Sequence, residues 1–133
     1  MEYAIGLLVG LGVAVLGAIV EFDRQRAFYP TVLIVVASYY VLFAAMGGSR
    51  HTLAAEIALA SVFLLLAILG FKKNLWIVAA GLIAHGCFDF AHQRFVADPG
   101  VPAWWPGFCL GADVALGGWL ALRLARQGHA PIT

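Results

Sequence analysis

Apolar residues gather along the chain in five runs, near 3–20, 30–46, 52–70, 74–94 and 106–123, separated by the polar breaks EFDRQRAFY, GGSRH, FKK and VADPGVPAWW. Each run is close to the ~20 residues that a helix rising ~1.5 Å per residue needs to cross a bilayer core. None alternates polar and apolar positions as a half-exposed strand does, and lipid supplies no partners for unpaired backbone groups. Membrane-spanning α-helices are therefore expected rather than a β-barrel. The breaks carry their own punctuation: Pro30 and Pro106 suit the start of a helix, Gly47-Gly48 suits an end, and Pro99 and Pro102 prevent continuation. The pattern predicts an all-α bundle of five transmembrane helices in a single domain.

Composition agrees. Hydrophobic side chains make up 63% of the chain and charged ones 11%, far from the roughly half and quarter of a soluble domain. A net charge of +1 spread over scattered basic residues excludes a nucleic-acid partner and leaves membrane lipids as the expected surroundings. Charge then reports topology. Arg24, Arg26, Lys72, Lys73, Arg123 and Arg126 fall on one side of the bundle, and only Arg50 and Arg94 fall on the other. The excess marks the cytoplasmic face, giving an outside N-terminus and a cytoplasmic C-terminus. Met1-Glu2-Tyr3 lacks the basic start of a secretory signal, so the first run is read as a retained span. Gly6-x-x-x-Gly10 and Gly107-x-x-x-Gly111 are small-residue spacings that let helices approach closely, within one chain or across a homo-oligomer. Cys87 and Cys109 lie in apolar runs and form no C-x-x-C pattern.

The candidate chemistry lies in H85-G-C-F-D89-F-A-H92. Residues at i, i+4 and i+7 share a helical face, which places His85, Asp89 and His92 on one stripe. Imidazole nitrogen and carboxylate oxygen are ligand types for a divalent metal such as zinc or iron, and the same groups serve as a general acid/base relay. Counting ~1.5 Å per residue from the outer helix ends puts Asp89 and Glu56 roughly 8 Å deep, Asp113 and Tyr40 about 10 Å and His85 about 14 Å. His92 and His51 are expected at the mouth. An ionisable group at such depth costs at least a few kcal/mol unless it is paired, protonated or hydrated, so a functional cavity is the default reading. Asp113 and Glu56 also fit a plainer role, hydrogen-bonding a neighbouring helix.

The stretches FDRQRAFYPTVLIVVASYYVLFAAMGGS, HGCFDFAHQRF and PGVPAWWPGFC resemble those of a family of small, uncharacterised bacterial integral membrane proteins. The resemblance covers most of the chain and implies a multi-pass protein of the bacterial cytoplasmic membrane, with no activity or ligand attached.

Two functions remain open at this level. One is a membrane enzyme acting on a lipid or other apolar substrate in an outward-facing cavity, with Glu56, Asp89 and Asp113 as catalytic groups and His85, Asp89 and His92 as metal ligands. The other is a non-enzymatic carrier or binding protein for an ion, a proton or a small ligand, built as an oligomer if it forms a pore.

Overall fold

The computed structural model describes residues 1–96 and 98–127. Five helices, α1 Glu2–Ile19, α2 Phe28–Gly47, α3 Arg50–Lys72, α4 Leu75–Ala91 and α5 Trp105–Gln127, account for nearly all of it, with no strand among the described residues. All five are long and apolar enough to span a membrane, α4 together with the 3-10 turn His92–Arg94 that extends it. The boundaries follow local chemistry. The Ser49 hydroxyl accepts a hydrogen bond from the Thr52 amide at 3.1 Å, and the Asn74 carbonyl oxygen accepts one from the Trp76 amide at 3.0 Å. These caps satisfy amides that have no partner inside the helix. The first sets the start of α3 at Arg50, two residues before the apolar run begins.

Short connections make successive helices antiparallel, so α1, α3 and α5 run one way and α2 and α4 the other. One end of the bundle carries Met1, the α2–α3 turn and the α4–α5 connection, and the opposite end carries Gln127. The parallel pair α1 and α5 is joined through both glycine motifs. A Cβ at Gly10 would lie 2.6 Å from the Ala112 carbonyl oxygen, and one at Gly111 would lie 2.5 Å from the Tyr3 carbonyl oxygen. The motifs thus serve a contact within the chain, backbone against backbone, as small-residue spacings allow. On its other side α5 packs on α4; α4 in turn meets α3 and α2, which pack on each other.

The Gln127 end is held by polar ties. The connection between α1 and α2 pairs internally, Arg24 with Glu21 at 3.1 Å and Asp23 with Arg123 of α5. Arg26 donates to the Phe71 and Gly70 carbonyls, which are otherwise unpaired acceptors at the end of α3. Above this end lies an apolar core around Leu33, Phe63, Val78, Leu82, Leu116 and Leu120. At the Met1 end Tyr40, Trp105 and Cys109 form a second, aromatic cluster with Phe43, Val101 and Phe108. The candidate polar residues lie among these apolar and aromatic groups.

A leucine at Gly10 should separate α1 from α5 and lower stability in detergent by about 1–3 kcal/mol through overpacking. The same change at Gly12, where a Cβ would meet nothing within 4 Å, should be silent. Thermal unfolding of the two variants checks this, and equal losses would remove the packing role of the first motif.

Candidate functional site

Two imidazole–carboxylate pairs occupy the interior toward the Met1 end. In the first, His85 of α4 places Nδ1 2.7 Å from Asp113 Oδ2 of α5 and 3.2 Å from Asp89 Oδ2, one turn along its own helix. In the second, His92 places Nε2 2.7 and 2.9 Å from the two oxygens of Glu56 on α3. All five side chains are at most 2% exposed.

Local sequence explains the convergence. The i,i+4 spacing sets Asp89 beside His85, and Gly86 between them lets α5 close in: a Cβ there would lie 2.9 Å from the Asp113 Cβ. Any larger residue would push the Asp113 carboxylate away from His85. His92 opens the tighter turn that follows α4, and it reaches across to α3 rather than back to His85. It is buried, not at the mouth, whereas His51 is exposed.

Aromatic rings fix both imidazoles. Tyr40 stacks on His92 with ring centroids 4.0 Å apart and stands edge-on to His85 at 6.5 Å, and Phe63 meets His85 edge-to-face at 4.6 Å. Beside the two pairs lies a small cavity of about 10 Å³, lined by Tyr40, Glu56, Phe63, His85 and His92 among others. That is room for about one water molecule.

Hydrogen bonding is incomplete in a telling way. His85 Nδ1 lies nearer Asp113 than Asp89, and besides that imidazole Asp89 has only the Tyr40 hydroxyl and the Cys109 thiol alongside. Asp113 Oδ1 and His92 Nδ1 are buried without a hydrogen-bond partner. No Lys or Arg among the described residues is buried, and none forms an ion pair with these carboxylates. Burying carboxylates is costly unless they are paired, and here the pairing falls to the two imidazoles, without a Lys or Arg.

Of the residues singled out in the sequence, His85, Asp89 and Asp113 offer donor atoms that all lie within 4.8 Å of one another, a set able to hold a metal ion. His92 is not in that set; with Glu56 it forms the neighbouring pair. Two participants carried little signal. Cys109 looked like any apolar-run cysteine. Asp98 sits in an Asp-Pro-Gly turn and accepts from the Gly100 amide at 3.1 Å, as turn aspartates do. Yet Asp98 is 2% exposed, its Oδ2 is unpartnered, and it faces Glu56 closely enough for the two to interact. Only the path of the α4–α5 connection over the site brings it there.

Compared with known proteins, the chain matches no family model, no curated protein and no solved structure.

Replacing Glu56 should separate pairing from packing. Glu56→Gln keeps an acceptor for the His92 N–H and should cost near the ~0.6 kcal/mol of an average interhelical hydrogen bond. Glu56→Leu strands the imidazole and should cost about 3–5 kcal/mol. Thermal unfolding in detergent measures both, and equal tolerance of the two would show that the His92 contact contributes nothing.

Proposed function

We propose that this protein binds a divalent cation inside the membrane, through His85 Nδ1, Asp89 and Asp113, as the centre of a carrier or binding function. The observation that carries this reading is the trio itself: one imidazole and two carboxylates from two helices, fully buried, with no Lys or Arg paired to them. Two carboxylates and one neutral imidazole carry two negative charges, and a divalent ion cancels both, removing the main cost of burying them. Donor atoms within 4.8 Å of one another are small side-chain rotations away from the ~2 Å bonds that zinc or iron makes.

Within that reading each residue has a task. In the metal-free protein Asp113 holds His85 Nδ1 by a hydrogen bond, and loss of that proton would free both groups to ligate the ion. Asp89 supplies the second carboxylate, and Phe63 and Tyr40 fix the imidazoles beside the small cavity. A bound divalent ion would supply Lewis acidity and charge neutralisation. The Glu56–His92 pair stands across the cavity as a base for the protons that metal binding displaces.

The cavity beside His85, which Asp89 and Asp113 do not line, has room for a water or an ion and none for an organic molecule. One observation keeps the enzymatic reading as the second. An apolar groove of about 720 Å³ runs between α1, α2 and α5, lined by Val13, Phe28, Val36, Trp105, Phe108 and Leu116 among others. It is large enough for a lipid chain, and one wall belongs to the helix that carries Asp113. For orientation we infer an outside N-terminus and a cytoplasmic C-terminus in the bacterial cytoplasmic membrane. Six of the eight Lys and Arg residues lie toward the Gln127 end, and the sequence resemblance supports the same setting. The metal site would then occupy the outer half of the bilayer.

Purified protein should bind one zinc or ferrous ion per chain, with release of protons. Asp89→Asn and Asp113→Asn, nearly equal in size to the parent residues, should weaken binding by at least about 100-fold while the melting temperature of the metal-free protein stays close to the parent's. Calorimetric titration with metal analysis is the measurement. A parent that binds no ion, or variants that bind as tightly, would reject the assignment. A reporter fused at the C-terminus should be active only if it works in the cytoplasm, and the opposite result would invert the orientation.

A further inference from the structure

Beyond the ion-binding trio, on whose reading this rests, the buried acid Asp98 has no assigned work, and the Glu56–His92 pair has so far been given protons alone to handle. Their placement is ordered. Asp98 lies just beneath the Met1 end, flanked by exposed Gln93 and Pro99, and Gln93 binds its backbone at 3.3 and 3.4 Å. The Gly100 amide holds Asp98 Oδ1, which leaves Oδ2 unpartnered and facing Glu56. Glu56 binds His92, and Glu56, His92 and His85 all line the same one-water cavity. The rest of that cavity wall is Ala37, Leu59, Ala60, Phe63 and Phe88, with Tyr40, so its acidic side faces Asp98.

We infer that Asp98, Glu56 and His92 form the access path by which small cations pass from the Met1 end to the cavity and the ligand trio. Each step moves the cation from one oxygen or nitrogen donor to the next. Asp98 supplies the negative potential that concentrates cations at the mouth, an effect worth 10- to 1,000-fold in arrival rate where low-dielectric walls focus the field. An access residue changes the rates of arrival and departure together and leaves equilibrium affinity alone, unlike a ligand.

Cys109 is a built-in reporter of arrival, because its buried thiol lies beside Asp89 at the far side of the path. In a Cys87→Ala background, which removes the exposed cysteine, silver ion is the probe. Its capture forms an S–Ag bond and releases the thiol proton, and quenched samples read by mass spectrometry give the rate. Asp98→Asn and Glu56→Gln should slow capture by about 10-fold or more, Asp98→Glu should restore it, and Glu21→Gln at the opposite end should leave it unchanged. Equal rates in parent and Asp98→Asn, or a parent whose Cys109 is never captured, would overturn the path. Equilibrium zinc binding in the same samples separates the two ideas. Capture that depends on Asp98 in a protein holding no zinc would leave the path standing and remove the trio's assignment, whereas zinc bound with rates indifferent to Asp98 would do the reverse.

Discussion

The buried acids of this bundle lie without a lysine or arginine beside them, in a medium that screens charge poorly. Asp89, Asp113, Glu56 and Asp98 are buried, the groups close to them are two imidazoles, a phenol and a thiol, and every Lys and Arg stays outside the buried interior. Elsewhere the chain solves such problems locally: Asp23 takes Arg123, and Arg26 takes the free carbonyls of α3. That the site lacks an equivalent arginine is what makes it different in kind. Structural carboxylates in membranes pair with a basic side chain or donate a single hydrogen bond; here two imidazoles serve three of the acids, an imbalance that the proposed ion would relieve.

The helix packing exists to keep that cluster compressed. Glycines stand where backbones must approach: Gly6, Gly10, Gly107 and Gly111 draw α1 onto α5, and Gly86 and Gly117 draw α5 onto α4. The second set matters directly, since the distance from His85 to Asp113 is the distance between α4 and α5. Below, Leu82, Leu116 and Phe63 pack without polar atoms, and at the Met1 end Trp105 and Phe43 close the aromatic cluster around Tyr40. Apolar and aromatic packing near the polar groups leaves little water to relax the charges, so whatever occupies the cavity interacts with them strongly.

The sequence disclosed much of this because membrane helices are written in long, redundant runs. Five spans could be read within a few residues, and the differences came from single contacts: the Ser49 cap lengthens α3, and the switch to a tighter turn at His92 ends α4 early. The i,i+4 pair His85 and Asp89 was legible for the same reason, one helix fixing both positions. What could not be read was which helices are neighbours. Whether Asp113 or His92 joins His85 is decided by the rotation of α5 against α4, which depends on glycines whose contacts are long-range. Asp98 was hidden by its own local signal, because an Asp-Pro-Gly turn explains the residue fully until the connection is seen to fold over the site.

The donor set also bears on which ion the trio suits. Calcium takes six to eight oxygen ligands, and magnesium surrenders its water shell reluctantly. Three protein donors beside a cavity of about 10 Å³ meet neither demand. One imidazole nitrogen, two carboxylate oxygens and one water make a four-coordinate shell of mixed nitrogen and oxygen, which is the preference of zinc and is open to ferrous iron or manganese. Cys109 stands at the edge of this shell beside Asp89, and a thiolate ligand would bias the site further toward zinc. A fourth protein ligand in place of the water would close the shell and make the site structural; with that position left to water, the proposed ion would stay exchangeable, as a carrier or a catalyst requires.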